Sequence, residues 1–146
     1  MIRFITWLQQ RFAPQAKWFG RWLGDAGERL AAKHLRGLGY RILHRQYRSS
    51  FGEIDLIVRD QDSIVFVEVK TRRSTAAGTP MEAVHREKQA QITRLALAYL
   101  KRRNLLNHRA RFDVVSIVWP AIAGETPQLT HIQNAFEASG EGRMFG

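Results

Sequence analysis

Two apolar stretches separated by a short polar segment constrain the fold of this chain most strongly. The first is Gly52-Glu53-Ile54-Asp55-Leu56-Ile57 and the second is Phe66-Val67-Glu68-Val69-Lys70. The polar turn Asp60-Gln61-Asp62 lies between them, and this spacing predicts an antiparallel hairpin of strands 53–59 and 63–70. Charged residues interrupt both strands, and a buried charge is costly unless it binds a metal or pairs with an opposite charge. The hairpin therefore predicts either a metal site or a set of ion pairs.

The alternation of side chains along a strand predicts how these charges are grouped. Successive side chains point to opposite faces, so Glu68 and Lys70 are expected on one face, as are Glu53 and Asp55 on the neighbouring strand. Carboxylate oxygens suit Mg²⁺ or Mn²⁺, and a metal bound there would polarise a phosphate and lower the pKa of a bound water. Lys70 beside the metal would stabilise the transition-state charge, orient the water or deprotonate it.

A purely structural arrangement of the same residues is the alternative. In that arrangement Glu68 and Lys70 form an ion pair at the end of a strand, and Asp55 lies in a surface turn. An isolated Glu-x-Lys pattern is typical of such pairs. The Gly-x-x-Asp sequence on the partner strand, the flanking apolar runs and the basic segment 71–80 favour the metal site instead.

The charge of the chain favours a polyanionic partner. Its 146 residues carry 23 Lys and Arg against 13 Asp and Glu, a formal net charge of +10, and arginine greatly outnumbers lysine. The planar arginine fork suits phosphate, and a basic surface attracts nucleic acid by releasing counterions. The alternative is a generally basic soluble protein without such a partner.

Several kinds of site are excluded by residue type or spacing. Cysteine is absent, which excludes disulfides, thiolate metal sites and a cysteine nucleophile, and a reducing cytoplasm is the expected location. The sequence has no phosphate-binding glycine loop, dinucleotide-binding turn or serine nucleophile elbow. The histidines show no metal-ligand spacing and are expected on the surface or half-buried, at positions 34, 44, 85, 108 and 131.

The residue pattern outside the hairpin predicts an α/β domain. A helix is expected from a cap at Asp25 to a stop at Gly39, followed by a strand over 40–47. After the hairpin, a basic loop is expected over 71–80, then a helix over 81–103 and strands over 112–119 and 128–133. This order predicts one domain over 25–137 with a mixed central sheet flanked by helices, and a flexible tail over 138–146.

The first 24 residues form a basic and aromatic accessory segment. The segment has no acidic residue, contains Trp7, Trp18 and Trp22, and is interrupted by Pro14. Its apolar run is too broken for a secretion signal or a membrane span. The segment is expected to pack on the domain or to be poorly ordered, with contact to a membrane surface or to nucleic acid as the alternatives.

An ordered set of short motifs resembles the YraN family of bacterial proteins over about residues 24–119. The motifs are the two hairpin sequences, the second extended through Thr71-Arg72, together with Gly27-Glu28, Gly39-Tyr40 and Gly78-Thr79-Pro80 with Lys88. That family looks like a member of the restriction-endonuclease-like superfamily, which has the PD-(D/E)xK site. It also resembles archaeal Holliday-junction resolvases, in which a helix ahead of the hairpin carries a glutamate.

The resemblance implies specific roles for four residues. Asp55 matches the metal-binding aspartate of the motif, Glu68 the second acidic ligand and Lys70 the lysine. Glu28 matches the glutamate of the first helix, a further metal ligand. Ile54 stands where the motif has its proline, so the match departs from the motif at that position.

Three other residues near the motif are held as additional candidates. Glu53 has no counterpart in the short motif and is a candidate extra ligand. Gln89 and Gln91 lie on the following helix, where some related nucleases use a glutamine.

Together these features predict a Mg²⁺- or Mn²⁺-dependent endonuclease that hydrolyses phosphodiester bonds in DNA. The resolvase resemblance extends this to branched or structured DNA and implies a homodimer, because resolvases cut two strands symmetrically. The residues expected to hold phosphates are Arg45, Arg48, Arg72 and Arg73. The alternative is a non-catalytic adaptor that binds nucleic acid or a membrane and retains the fold, although an adaptor has no chemical need for the motif residues.

Overall fold

A computed structural model describes residues 21–73, 84–122 and 124–139 of the chain. Helix α1 occupies residues 21–37 of the described part, and helix α2 is Arg86–Arg102. The strands are β1 (Arg41–Ser49), β2 (Gly52–Asp60), β3 (Ser63–Arg73), β4 (Arg109–Trp119) and β5 (Gln128–Phe136). The predicted α/β class is confirmed.

The described strands form one sheet in the order β1-β2-β3-β4-β5. Neighbouring strands are antiparallel except β3 and β4, which are parallel. The predicted hairpin is present. Strands β2 and β3 are paired from Asp60 and Ser63, next to the turn, to Leu56 and Val67, and Gln61 in the turn has a φ of 52°. Parallel neighbours need a crossover connection, and α2 lies in the segment that joins β3 to β4.

The two described helices pack on opposite faces of the sheet. Side chains of β3 alternate between the two cores, with Val65 and Val67 packed in the core that contains α1 residues, and Ile64 and Phe66 in the core that contains α2 residues. The α1 core includes Ala31, Leu35, Leu56 and Val115, and the α2 core includes Ile57, Leu95, Tyr99 and Phe112. Continued alternation places Glu68 on the α2 face.

Helix α1 differs from the prediction at its start and agrees with it at its end. The helix already includes residues 21–24, so Asp25 lies inside it and the predicted cap at Asp25 is wrong. The helix stops where expected, because Gly39 adopts a φ of +90° and the Tyr40 N–H donates to the Leu35 carbonyl at 3.0 Å. Gly27 faces β3 so closely that an added Cβ would collide with Thr71.

Other boundaries also differ because backbone partners extend or delay an element. Strand β4 begins at Arg109, which pairs with Ser63, and not at residue 112. Arg72 and Arg73 pair with β4, so they belong to β3 and not to the predicted loop. Helix α2 begins at Arg86, since His85 has an extended backbone and Gln89 Nε2 donates to the Val84 carbonyl at 2.9 Å. Strand β5 continues to Phe136, whose backbone pairs with Phe112 of β4.

Some sequence-based predictions fall on residues outside the described part. They are residues 1–20 of the accessory segment, residues 74–80 of the predicted loop, residues 81–83 of the predicted helix and residues 140–146 of the predicted tail. Trp22 of the accessory segment lies in α1, with its ring centroid 6.3 Å from that of Trp119. Among the described helices, none is long and apolar enough to cross a membrane.

Candidate active site

The site begins where the backbone ladder between β2 and β3 ends. The last paired residues are Leu56 and Val67, whereas β3 remains paired with β4 as far as Arg73. Asp55 continues the connection with its side chain, since its Oδ2 accepts the Val69 N–H at 2.8 Å. This bond fixes the Asp55 carboxylate beside β3.

Asp55 and Glu68 form a pair of acidic side chains, of which Asp55 is half-buried and Glu68 buried. Burial, and after it the negative charge of Glu68, raises the pKa of Asp55 to about 8, against the opposing effect of the Val69 hydrogen bond. Glu68 is 5% exposed, and its buried Oε2 has no hydrogen-bond donor among the described residues. Two such carboxylates repel each other unless a proton or a cation lies between them.

Two lysines contact the other oxygen of Glu68. Lys70 Nζ lies 3.3 Å and Lys88 Nζ 3.9 Å from Glu68 Oε1. The ion pair of the structural alternative is therefore present. Asp55, however, is not in a surface turn, because it lies within β2 beside the buried Glu68.

Glu28 lies close enough to act on this pair electrostatically. Its charge contributes to the raised pKa of Asp55, while Glu28 itself accepts a 3.0 Å hydrogen bond from Gln46 Nε2. Burial raises the pKa of Glu28, the Gln46 bond lowers it, and the charge of Glu53 raises it again. Glu53 accepts a 2.8 Å bond from Arg48, so its carboxylate is engaged in an exposed ion pair.

The donor set fits a hard divalent cation bound by two carboxylates. Within the described ranges, no group of three or more His, Asp or Glu side chains is arranged to hold a metal. Mg²⁺ does not need such a cage, because it usually retains several waters and takes one or two carboxylates and substrate phosphates. A cation held by Asp55 and Glu68 would give the unpartnered Oε2 a partner and offset both the burial and the Glu68 charge that raise the pKa of Asp55.

The predicted phosphate-binding arginines lie on two strands around the pair. Arg45 and Arg48 are exposed on β1, and the charge of Arg45 reaches Glu28. Arg72 and Arg73 end β3, separated from Lys70 by Thr71.

The sequence matches a family of known proteins over most of the described domain. The model of the "Uncharacterised protein family UPF0102" matches residues 27–117. The chain belongs to this family. A UPF0102 protein of Geobacter sulfurreducens is 48% identical over 79% of this chain and 88% of the relative. Relatives from Geobacter metallireducens and Alkaliphilus metalliredigens are 49% and 43% identical, over 79% and 78% of this chain and 92% and 96% of their own lengths.

The family match includes the candidate site residues on α1, β2 and β3. In this UPF0102 chain, the structure adds Lys88, to which sequence analysis assigned no role. Lys88 lies in the first turn of α2, the helix that connects β3 to β4. Glu68 is on the face of the sheet that this helix covers, so the two side chains meet. A basic residue in the first turn of a crossover helix was the available signal, but its distance from Glu68 depends on the tertiary fold.

The two glutamines on α2 have different positions. Gln89 Nε2 donates to the Val84 carbonyl at 2.9 Å, just before the start of α2. Gln91 Nε2 donates to the Phe51 carbonyl at 2.7 Å and so ties α2 to the turn between β1 and β2. Both therefore make structural hydrogen bonds in this fold.

A second charged group lies on the α1 face of the sheet. Asp113 is fully buried, and both of its oxygens have donors: the Arg111 guanidinium, the Asn134 N–H at 3.0 Å and His131 Nε2 at 2.8 Å. Burial alone would raise the pKa of Asp113, but these hydrogen bonds outweigh it and lower the pKa. The satisfied oxygens of Asp113 contrast with the unpartnered oxygen of Glu68 and mark this group as structural.

Proposed function

We propose that this UPF0102 protein is a Mg²⁺-dependent endonuclease that hydrolyses phosphodiester bonds in DNA. The observation that carries the proposal is the partly buried Asp55–Glu68 pair, in which two lysines contact one Glu68 oxygen and the other oxygen has no donor among the described residues. Burial of such a pair is costly, and binding of a divalent cation offsets the cost. The net charge of +10 supports a polyanionic substrate.

The residues of the site would divide the work of hydrolysis. When bound, a divalent cation supplies charge stabilisation at the phosphate and acidifies a water. Asp55 and Glu68 would hold the cation, and the Val69 N–H would orient the Asp55 carboxylate. Lys70 is about one-third exposed, so its ammonium can reach a phosphate while it remains beside Glu68, and would stabilise the developing negative charge.

Metal binding is the first test of the proposal. In Mn²⁺ titrations followed by calorimetry, Asp55→Ala and Glu68→Ala are each expected to weaken binding by more than about 100-fold, because each removes a ligand. Glu53→Gln is the matched control, since Glu53 lies on the same strand but is paired with Arg48 at an exposed position. Circular dichroism would verify the fold of each variant, and unchanged binding in both ligand variants would exclude the metal site.

Cleavage is the second test. With Mg²⁺, the protein is expected to cut DNA, and a four-way junction, a duplex and a single strand of matched sequence would compare the branched substrate with the others. Lys70→Ala is expected to lower the rate by about 100-fold, as does removal of one group that stabilises transition-state charge. Lys101→Ala, at the exposed end of α2, is the purification-matched control. Metal binding without cleavage of any of these substrates would favour the adaptor.

A further inference from the structure

An exposed aromatic residue lies on a firmly held turn next to the candidate active site. Phe51 is 49% exposed in the turn between β1 and β2. Its N–H donates to Ser49 Oγ at 3.1 Å, and its carbonyl accepts the bond from Gln91 of α2. Gly52 follows at a φ of +134°, where a Cβ would collide with the Gln91 amide. The backbone is thus fixed by local bonds and by α2, while the apolar ring remains in contact with solvent.

Phe51 and the adjacent face of α2 line a shallow groove that shares Lys88 with the candidate active site. The α2 residues of the groove are Glu87, Lys88, Ala90, Gln91 and Arg94. The guanidinium carbon of Arg94 lies over the Phe51 ring, 5.7 Å from its centroid. Lys88 belongs both to the groove and to the site, because its Nζ lies 3.9 Å from Glu68 Oε1.

We propose that this groove binds an unpaired nucleotide of the DNA substrate, with its base stacked on Phe51 and its flanking phosphates at Lys88 and Arg94. The inference rests on the proposed nuclease function and specifies the DNA structure that the site accepts. Stacking on an exposed aromatic ring within a basic groove is the usual way in which proteins hold single-stranded nucleic acid, whatever its sequence.

The charges of the groove favour this occupant over an apolar partner or a second copy of the chain. Its lining carries two cations and one acidic residue, Glu87. An apolar peptide would desolvate Lys88 and Arg94 without pairing them, which is costly. A second copy would bring another net charge of +10 to the same surface. A nucleotide supplies both the flat ring and the negative charges.

The test compares two DNA duplexes that differ only in a five-nucleotide single-stranded overhang. Affinities are measured by fluorescence anisotropy in EDTA, so that neither metal nor cleavage contributes. Phe51→Ala is expected to weaken binding of the overhang duplex about tenfold, within the range reported for loss of one stacked base, and to leave the blunt duplex unchanged. Phe51→Trp is expected to retain the affinity. Phe51→Leu, which keeps an apolar side chain without a flat ring, is the matched control and is expected to behave like Phe51→Ala.

Two further measurements make the interpretation specific. A 2-aminopurine in the overhang is expected to lose fluorescence on binding to the wild-type protein and to Phe51→Trp, but not to Phe51→Leu, because stacking quenches it. Arg94→Gln is expected to weaken binding and to reduce the slope of log affinity against log salt by about 1, which is the loss of one phosphate contact.

Each outcome separates this inference from the proposed function. Equal affinity of Phe51→Ala and wild type for the overhang duplex, or full retention by Phe51→Leu, would overturn the stacking groove. Either result could accompany intact Mn²⁺ binding and cleavage, which would leave the nuclease proposal standing. Conversely, if the base stacks in EDTA but the protein binds no metal, the groove is supported and the nuclease proposal is rejected.

Discussion

Replacing Asp55 by asparagine is expected to stabilise the metal-free protein at pH 8 by a few kcal/mol. The reason is the raised pKa of the Asp55 carboxyl, about 8 in the folded protein because of burial and the nearby Glu68, compared with about 4 in an unfolded chain. Asparagine keeps an acceptor for the Val69 N–H and offers an N–H to the unpartnered Glu68 oxygen. Asparagine is neutral, so folding does not have to transfer a charged side chain from water into the protein.

The raised pKa of Asp55 also determines how the free energy of unfolding changes with pH. Below about pH 4 the carboxyl is protonated in both states, and its contribution to stability is fully present. Between about pH 4 and pH 8 the unfolded chain has lost the proton that the folded protein retains, so the free energy of unfolding falls as pH rises. Each tenfold difference in proton affinity corresponds to about 1.4 kcal/mol. The fall is expected to be much steeper in the wild type than in Asp55→Asn, which retains only the smaller contributions of other groups such as Glu28.

Urea denaturation in EDTA from pH 4 to pH 8 would measure the difference between these two proteins. Glu53→Gln, on the same strand, is expected to differ from wild type by less than about 1 kcal/mol, as for other exposed ion pairs. Added Mn²⁺ is expected to reverse the order at pH 8, because the metal stabilises only a protein that binds it. Parallel curves for wild type and Asp55→Asn across the pH range would contradict the partly buried carboxylate pair.

Removal of the Arg111 guanidinium is expected to destabilise the protein by about 3–5 kcal/mol, the usual cost of breaking a buried ion pair. Arg111→Met would leave the fully buried Asp113 without its strongest charge partner. It would also break bonds to Asp60 at 2.9 Å and to the Tyr40 hydroxyl at 2.9 Å. Chemical denaturation at pH 7 would measure the loss.

Two variants provide the comparison for Arg111. Arg109→Met removes an exposed arginine from the same strand and is expected to change stability by less than about 0.5 kcal/mol. The double variant Arg111→Met/Asp113→Asn removes both charges and is expected to recover part of the loss. A loss in Arg111→Met no greater than that in Arg109→Met would show that Asp113 does not depend on its partner.

The two buried acidic residues show how far local patterns predict a site. Glu68-x-Lys70 and Arg111-x-Asp113 are the same pattern, two opposite charges on one face of an apolar strand. The first is recognisable in the sequence through its hairpin partner, whereas no motif in the sequence marks the second. Only the hydrogen-bond partners distinguish them, because both Asp113 oxygens have donors and Glu68 Oε2 has none among the described residues.

Helices, strands and turns were easier to predict than the contacts between distant side chains, because they depend on local sequence. The hairpin, the α/β class and the stop at Gly39 follow from short-range alternation, turn residues and glycine conformation, and these predictions are confirmed. The partners of Arg111 come from three other segments, at Tyr40, Asp60 and, through Asp113, His131. Such groupings depend on sheet order and register, which no local pattern contains.

Among the described strands, β1 and β5 lie at the edges of the sheet, and an edge strand offers its backbone groups to another chain. Strand β1 carries exposed arginines at positions 41, 45 and 48. Strand β5 is irregular near Asn134, which has a φ of 49°. Positive charge and irregular backbone are the means by which natural edge strands avoid aggregation. Two copies paired through β1 would bring these arginines together, so we expect the predicted homodimer to use another surface.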